Sequence, residues 1–306
     1  MRTATARRIS PFAWVISAVA VLFTLTLGVS IGAVSLAPLT VWSEISSNLF
    51  GTAANSTASE STIIWQLRLP RVLLAFVVGS MLASAGCAYQ GTFRNPLADP
   101  YLLGVSAGAG LGATIAIFNS SGATKFLLPL AAFAGALGAV VLTYSLGRSA
   151  IAGRSSTALI LAGVAVASLL TAIQTLIQQQ NTDKIREIYA WVLGRLSTSG
   201  WNDLAIITPY ILVCIIVLLR YRRVLDVFAV GDEEALTMGL PVARARAAII
   251  VAASLGTAAA VAVTGLIGFV GIIVPHILRL IVGNSYRIFS SNTPAWSKYC
   301  WPDTWG

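Results

Sequence analysis

Hydroxyl and amide side chains recur at helical spacing within the apolar stretch 157–178, and they are the residues best able to contact a polar solute. They lie on one side of the predicted helix: Ser168, Thr171, Gln174, Thr175 and Gln178. A polar stripe that faces lipid is costly, so this stripe faces protein or a water-filled path. Two interpretations stay open: hydrogen bonding between helices and the lining of a pathway.

Residues that could catalyse a reaction or hold a metal ion do not cluster in this sequence. His276 is the single histidine, and its place after a proline in an apolar stretch favours packing or capping. Cys87, Cys214 and Cys300 are scattered without metal or disulfide spacing. Neither a Ser-His-Asp set nor a Walker-type phosphate loop occurs. We therefore expect no enzyme, no cofactor, no metal site and no ATP binding by that route.

The elements that must position the polar stripe are membrane spans. Of the 306 residues, 57% are hydrophobic and 10% are charged, a balance typical of an integral membrane protein. Several apolar stretches are long enough, or nearly so, to cross a hydrocarbon core about 30 Å thick. They lie near 12–36, 70–91, 101–118, 126–147, 157–178, 203–220, 245–264 and 266–283. The sequence predicts an all-α polytopic membrane protein of about eight transmembrane helices, the first of them an uncleaved span.

Basic residues set the expected orientation of these spans. They are more frequent in the loops that lie inside when the N-terminus is cytoplasmic than in the loops that then lie outside. The net charge of +9 therefore reflects topology, and basic residues spread over membrane loops do not indicate nucleic-acid binding. We expect a multi-pass protein with a cytoplasmic N-terminus and no nucleic-acid partner.

Two outer segments carry groups that could meet the membrane surface or a partner. Arg68 and Arg71 flank a Leu-Pro pair at the start of the second span, where interfacial anchoring is the ordinary interpretation. Tryptophans in the outer loop 37–67 also indicate anchoring. The segment 179–202 combines charged and aromatic residues, which predicts a short amphipathic helix on the membrane surface.

The chain contains a weak internal repeat. After the Leu-Pro pair at 69–70 come a span rich in small residues, a Gly/Pro break and another span, and the same order follows the Leu-Pro pair at 240–241. Under the expected orientation the first unit starts outside and the second starts inside. This order predicts inverted-topology repeats, which are common in transporters.

The cytoplasmic stretch 225–241 concentrates acidic residues beside apolar ones. Gly231 precedes three acids, which predicts a helix start, and Gly239 before a proline predicts its end. The stretch could be a simple connector between two spans. A docking surface suits its apolar residues better.

Five motifs occur in a fixed order between residues 60 and 283. They are RLPRVLLAFVVGSMLASAG leading to RNPLADPYLLGVSAGAG, LILAGVAVASLL at 159–170, WVLGRLSTSGW at 191–201, DVFAVGDEEALTMGLPV at 226–242 and GLIGFVGIIVPHILRLIVG at 265–283. In this order they resemble the FecCD-type permeases, the membrane subunits of ABC importers for ferric siderophores, haem and cobalamin.

The resemblance implies a homodimer in the bacterial cytoplasmic membrane, with two cytoplasmic ABC ATPase subunits and an extracytoplasmic solute-binding protein as partners. The implied cargo is an iron(III)–siderophore chelate, with haem or cobalamin as alternatives. It also implies residue roles: docking of the binding protein by Arg68 and Arg71; coupling to the ATPase by Asp232, Glu233, Glu234, Ala235, Leu236 and Gly239; pathway lining by the stripe of 157–178; and a cytoplasmic gate at Ser155, Ser156 and Thr157.

The C-terminal part departs from this resemblance. Such permeases usually continue with two more spans, giving ten, whereas 284–306 holds three tryptophans and almost no aliphatic run. We expect one transmembrane permease domain over 1–284, with the coupling loop at 225–241, and an atypical tail over 285–306 that looks truncated or out of frame. The alternatives to an ATP-driven permease are an inactive truncated permease and an ion-driven secondary transporter, for which Arg279 and His276 are nearly the only ionisable candidates within spans.

Overall fold

The computed structural model describes residues 11–51, 56–119, 127–147, 156–180, 182–194, 196, 200–237 and 239–282, and every regular element in these ranges is helical. The α-helices are α1 Pro11–Ser30, α2 Pro38–Phe50, α3 Ala58–Thr62, α4 Leu69–Phe93, α5 Val105–Asn119, α6 Leu127–Gly147, α7 Ser156–Gln179, α8 Ile185–Val192, α9 Trp201–Arg220, α10 Arg222–Val230, α11 Asp232–Thr237, α12 Val242–Thr264 and α13 Val270–Val282. A π-helical turn, Ile63–Arg68, joins α3 to α4. The predicted tail 285–306 lies outside the described residues.

Each predicted span corresponds to one helix. Within the described ranges five helices are long and apolar enough to cross a membrane: the continuous helix Ala58–Phe93 that contains α4, and α6, α7, α9 and α12. Shorter apolar segments lie in α1, α5 and α13: Trp14–Ser30, Val105–Asn119 and Val270–Leu280. Both α5 and α13 start only after a break in the helical backbone. The predicted all-α polytopic fold is confirmed.

Helices α4 and α12 form the centre of the bundle. In α12, 67% of the most apolar window is buried, against 11% in α7. Leu74 and Met81 of α4 and Ile249 and Ala253 of α12 belong to one buried core. Helix α7 therefore lies at the edge of the bundle, where it can face a partner or a path.

Close packing of α4 against α13 depends on two glycines. A Cβ atom on Gly86 would overlap the carbonyl oxygen of Gly271, so the two backbones are in direct contact. Because helices in lipid gain little from hydrophobic exclusion, such close approach is a main source of their association. Any larger residue at Gly86 would push α13 away from α4.

Each repeat unit contains a helix break with a left-handed residue at both ends. Helix α4 ends at Arg94 with φ 52°, and Gly104 with φ 79° precedes α5. Helix α12 ends at Gly265 with φ 76°, and Phe269 with φ 66° precedes α13. Two of the four residues are not glycine, which is uncommon for this conformation and marks the breaks as specific features.

Contacts at one end of the bundle indicate that the two units run in opposite directions. Trp201 at the start of α9 stacks on Trp65, just before α4 begins, with ring centroids 6.2 Å apart. A Cβ atom on Gly265, at the end of α12, would overlap the carbonyl oxygen of Trp191 in the segment that leads into α9. Helix α4 thus begins where α12 ends, which supports the inverted-repeat hypothesis.

The outer segment 37–67 contains two helices, α2 and α3, where the sequence predicted only a loop with anchoring tryptophans. Glu44 of α2 is 2% exposed. It accepts hydrogen bonds from Ser56, from Ser61 at 2.6 Å and from Asn48 at 3.1 Å. These bonds, that from Ser56 foremost, hold the pKa of Glu44 below its ordinary value. The carboxylate fastens α2 to the residues that lead into α4.

Candidate functional site

The polar stripe of α7 divides between two surroundings. Its three hydroxyl residues are exposed: Ser168, Thr171 and Thr175. The Thr175 hydroxyl donates to the carbonyl oxygen of Thr171 at 2.9 Å, a bond within the helix that leaves the oxygen able to accept from solvent. Gln174 and Gln178 are half-buried. A Cβ atom on Gly110 of α5 would lie 2.8 Å from Gln174 Oε1, so the Gln174 amide packs against α5.

The exposed face of α7 carries apolar side chains as well as hydroxyls. Leu161, Leu169 and Leu176 are 70%, 54% and 56% exposed and lie beside the hydroxyl residues on the helix surface. A helix whose exposed face mixes hydroxyl and apolar side chains can lie against a hydrated path or against a partner helix. The geometry gives Gln174 a packing role, and the pathway role of the hydroxyls stays a prediction.

The two helix breaks meet at a tyrosine hydroxyl that the sequence-based predictions left out. The Tyr101 hydroxyl donates to the carbonyl oxygen of Ile267 at 2.8 Å and accepts from the N–H of Ile267 at 3.2 Å. Asp99 accepts from the N–H of Tyr101 at 2.7 Å and thereby orders the turn before α5. Backbone groups outside helices need such partners where water is excluded. One side chain thus joins the breaks of both repeat units.

Two buried polar contacts join α4 to the second repeat unit near this junction. The hydroxyls of Tyr89 and Ser254 lie 2.5 Å apart. Gln90 Nε2 donates to the carbonyl oxygen of Gly271 at 3.2 Å. Together with Tyr101 they form a polar contact between the two repeat units.

Arg68 points into the turn between α1 and α2. Its guanidinium donates to the carbonyl oxygens of Val29 at 2.8 Å, of Ser30 at 3.0 Å and of Val34. The carbonyls of Val29 and Ser30 stand at the C-terminal end of α1, where a cation is stabilising. Arg68 therefore holds α1 against α4, and its docking role stays a prediction.

Arg71 has a different environment one turn further along. Its side chain is half-buried, and its Nε is a buried donor without a hydrogen-bond partner in the described part of the chain. Because Nε is buried, a carboxylate of a partner could meet only the terminal N–H groups of this guanidinium. Its docking role also stays a prediction.

The predicted amphipathic helix in 179–202 is confirmed as α8. Ile188 and Trp191 form its buried side, with 1% and 2% exposure. Just before it, Lys184 Nζ donates to the carbonyl oxygens of Ile117 at 2.9 Å and Phe118 at 3.1 Å and so closes the end of α5. The outward side of α8 stays available at this end of the bundle.

The predicted coupling segment forms two short helices, α10 and α11. Helix α11 starts at Asp232, directly after Gly231, and Gly239 with φ 73° follows its end. The predicted start and stop of this helix are confirmed. Glu233 and Glu234 lie in α11, and the side chains at 232–234 are outside the described part.

In the coupling segment some side chains are buried against the bundle, whereas others are exposed to a possible partner. Ala235 and Phe228 are fully buried, whereas Leu236 is 62% exposed. The Arg246 guanidinium of α12 lies over the Phe228 ring, 5.3 Å from its centroid, and fastens α10 to α12. Leu236 is thus an exposed apolar side chain on a backbone that is fixed to the bundle.

The structure describes only some of the residues of the predicted gate. Ser155 lies outside the described residues, Ser156 begins α7, and Thr157 is exposed, so the gate stays a prediction. His276 is exposed on α13. In the described ranges no three His, Cys, Asp or Glu residues lie together in a way that could hold a metal ion.

Comparison with known proteins identifies this arrangement. The profile of the FecCD transport family matches residues 19–294. The chain belongs to the FecCD transport family. The cobalamin import system permease protein of Halobacterium salinarum is 43% identical to it over 227 residues, 74% of this chain and 61% of that protein. The hemin transport system permease protein of Yersinia pestis is 36% identical over 271 residues, 84% of this chain and 75% of that protein.

A solved structure shares the fold of this FecCD family member. It is described as an inward-facing conformation of a metal-chelate type ABC transporter, and it aligns with a TM-score of 0.78 and 29% identity over 91% of this chain and 84% of that chain. The chain spans less than two thirds of the length of the Halobacterium relative. The resemblance to FecCD-type permeases is confirmed.

Proposed function

We propose that this FecCD family member is the membrane-spanning permease subunit of an ATP-driven importer whose cargo is an iron(III)–siderophore chelate. The observation that carries the proposal is the hydroxyl stripe of α7, where Thr171 and Thr175 are exposed on a helix long enough to cross a membrane. Hydroxyls can contact a bulky polar chelate without competing for its metal. The metal-chelate type of the matched structure supports the same class of cargo.

In this mechanism two copies of the chain face each other across the path, in the bacterial cytoplasmic membrane, and α7 of each copy supplies a wall. Leu236 and the acids of α11 contact a separate ATPase subunit, and a solute-binding protein delivers the chelate at the end where α4 and α9 begin. Closure of the ATPases shifts the repeat units about the breaks at Tyr101. The chain makes no covalent bond to the cargo; it presents different contacts to it in two states.

An uptake assay tests this function. Vesicles that contain the chain, its ATPase and its binding protein should accumulate radioiron-labelled siderophore only when ATP is present. The double variant Thr171→Val, Thr175→Val should lower the rate several-fold, because it replaces the hydrated side of α7 with methyl groups. Thr24→Val is the matched control, since Thr24 is also exposed and its hydroxyl also bonds within its helix, to Ala20 in α1.

Cobalamin is the second candidate cargo, favoured by the 43% identity to the Halobacterium permease. The same vesicles should therefore be offered labelled cobalamin and haem beside the siderophore. Preference for cobalamin would correct the cargo and keep the permease role. ATP-dependent uptake of none of the three chelates would contradict the permease role itself.

A further inference from the structure

Helix α8 is fixed at both of its ends by contacts with other elements. Just before its first residue, Lys184 Nζ donates to the carbonyl oxygens of Ile117 at 2.9 Å and Phe118 at 3.1 Å, which belong to the last turn of α5. At its last turn, the carbonyl oxygen of Trp191 lies so close to Gly265 that a Cβ atom there would overlap it. Helix α8 thus connects the end of α5 to the second helix break, the break between α12 and α13.

The Lys184 contact is electrostatic, whereas the rest of α8 is held by apolar packing. The last carbonyls of a helix have no partner within it and stand at the negative end of its dipole, so a cation there is stabilising. Ile188 and Trp191 of α8 belong to the same buried core as Ile117. Removing the ammonium would therefore release the start of α8 from α5 and leave its apolar side packed.

The second break is connected in turn to α7. The backbone of Ile267, two residues after Gly265, is bonded by both its N–H and its carbonyl oxygen to the Tyr101 hydroxyl of the first break. In that first break, the carbonyl oxygen of Leu102 would overlap a Cβ atom on Gly163 of α7. Direct contacts therefore connect α8, through both breaks, to the helix that carries the hydroxyl stripe.

The outward side of α8 is exposed in the described structure. Arg186, Glu187 and Tyr189 are exposed there, and arginine and tyrosine are enriched in protein contacts. Helix α8 leads into α9, at the end of the bundle where we place the solute-binding protein. Contacts made by a protein docked on this side would act on a helix that is connected to α7.

We propose that Lys184 is a positioning residue through which docking of the solute-binding protein on α8 changes the position of α7. While Lys184 fixes the start of α8 to α5, a displacement of α8 is passed from its last turn to the second break and from there to α7. Without the ammonium the start of α8 yields instead, and the displacement does not reach the breaks. The inference rests on the proposed function, because it needs a binding protein that docks and an ATPase that responds.

ATP hydrolysis by the whole transporter tests this role. In vesicles that contain the chain and its ATPase, the rate is measured with and without the loaded binding protein, whose affinity is measured by titration. Lys184→Met keeps the apolar stem of the side chain but removes the ammonium. It should reduce the stimulation, which is the ratio of the two rates, several-fold, while the binding protein is bound as tightly as by the parent. Lys184→Arg should restore most of the stimulation, because a guanidinium can also donate to the last carbonyls of a helix.

Asn119→Ala is the matched control for the capping of α5. Asn119 Nδ2 donates to the carbonyl oxygen of Ile115 at 2.9 Å, a bond that lies within α5, so this variant should leave the stimulation unchanged. Thermal unfolding midpoints show whether each variant is folded. If Lys184→Met is not, hydrogen exchange in the unaltered complex decides: docking should change the exchange rate of the Ile267 amide, which donates to Tyr101.

Four results would overturn the inference. Unchanged stimulation in Lys184→Met, or an equal loss in Lys184→Met and Asn119→Ala, would leave Lys184 only the capping of α5. Weaker docking in Lys184→Met would make the residue part of the docking surface. An Ile267 amide whose exchange does not respond to docking would show that the displacement does not reach the break. A parent complex that the binding protein does not stimulate would instead contradict the proposed function, and the inference with it.

Discussion

Arg68 and Arg71 lie three residues apart, yet in the described part of the chain only Arg68 has its guanidinium bound by the turn between α1 and α2. Replacing Arg68 with Ala leaves several carbonyls of that turn without a donor, which should lower the free energy of unfolding by about 1–3 kcal/mol. Arg71→Ala should change it by less than about 1 kcal/mol and should weaken binding of the solute-binding protein. Thermal unfolding and a binding titration measure the two effects. Unchanged affinity in Arg71→Ala would reject its docking role.

Glu44 should make the stability of the outer segment depend on pH. Its lowered pKa stabilises the fold above about pH 4.3, the ordinary value of a glutamate, and this contribution is lost as the pH falls through the lower folded-state value. Glu44→Gln should therefore have a lower thermal unfolding midpoint than the parent protein at pH 7. The difference between the two midpoints should shrink below pH 4. Glu187→Gln, at an exposed position of α8, is the control. A difference that is the same at every pH would contradict this role.

Individual residue environments were only partly predictable from the sequence. Helical spacing placed Thr171 and Gln174 on one stripe, but it could not show that Gln174 packs against Gly110 of α5 while Thr171 is exposed. Likewise, the sequence indicated that Arg68 is a surface cation, whereas in the structure its guanidinium binds the carbonyls of Val29 and Ser30. Such roles depend on neighbours that are distant in the chain, which residue type and spacing do not encode.

Local sequence signals predicted where the helices lie along the chain, but they did not predict which helices contact each other. Apolar length predicted the spans, and Gly231 and Gly239 predicted both ends of α11. The junction of Tyr101 with Ile267 joins residues far apart in the sequence, and no local pattern indicated it. Helix α2 was missed because its polar and apolar residues are typical of an interfacial loop, although Glu44 and its donors stabilise it as a helix.

The junction between the helix breaks should be a major source of stability for both repeat units. Tyr101→Phe removes the hydroxyl and leaves the carbonyl and N–H of Ile267 without this partner, at a cost of about 1–3 kcal/mol. Tyr210→Phe is the control, because Tyr210 is 65% exposed on α9. The thermal unfolding midpoint and the rate of uptake should both fall in Tyr101→Phe and stay unchanged in Tyr210→Phe. Equal effects of the two variants would show that the junction has no special role.

Considered as a whole, the molecule has a buried centre of α4 and α12 and a sparsely covered helix, α7, at its edge. The central contacts explain how two oppositely directed units stay together, and the edge explains where a polar solute could pass. Family membership agrees with both, since the chain matches the FecCD transport family over 19–294. The central claim is therefore that the hydroxyl side of α7 faces water in the membrane.

Cysteine accessibility measures this directly. In a chain with Cys87, Cys214 and Cys300 replaced by Ala, the variants Thr171→Cys and Thr175→Cys are treated in membranes with a charged thiol reagent that cannot cross lipid. Reaction requires a hydrated thiolate, so both should be modified much faster than Leu169→Cys and Leu176→Cys on the apolar side of the same helix. Equal rates at all four positions, or faster reaction at the leucine positions, would contradict a pathway along α7.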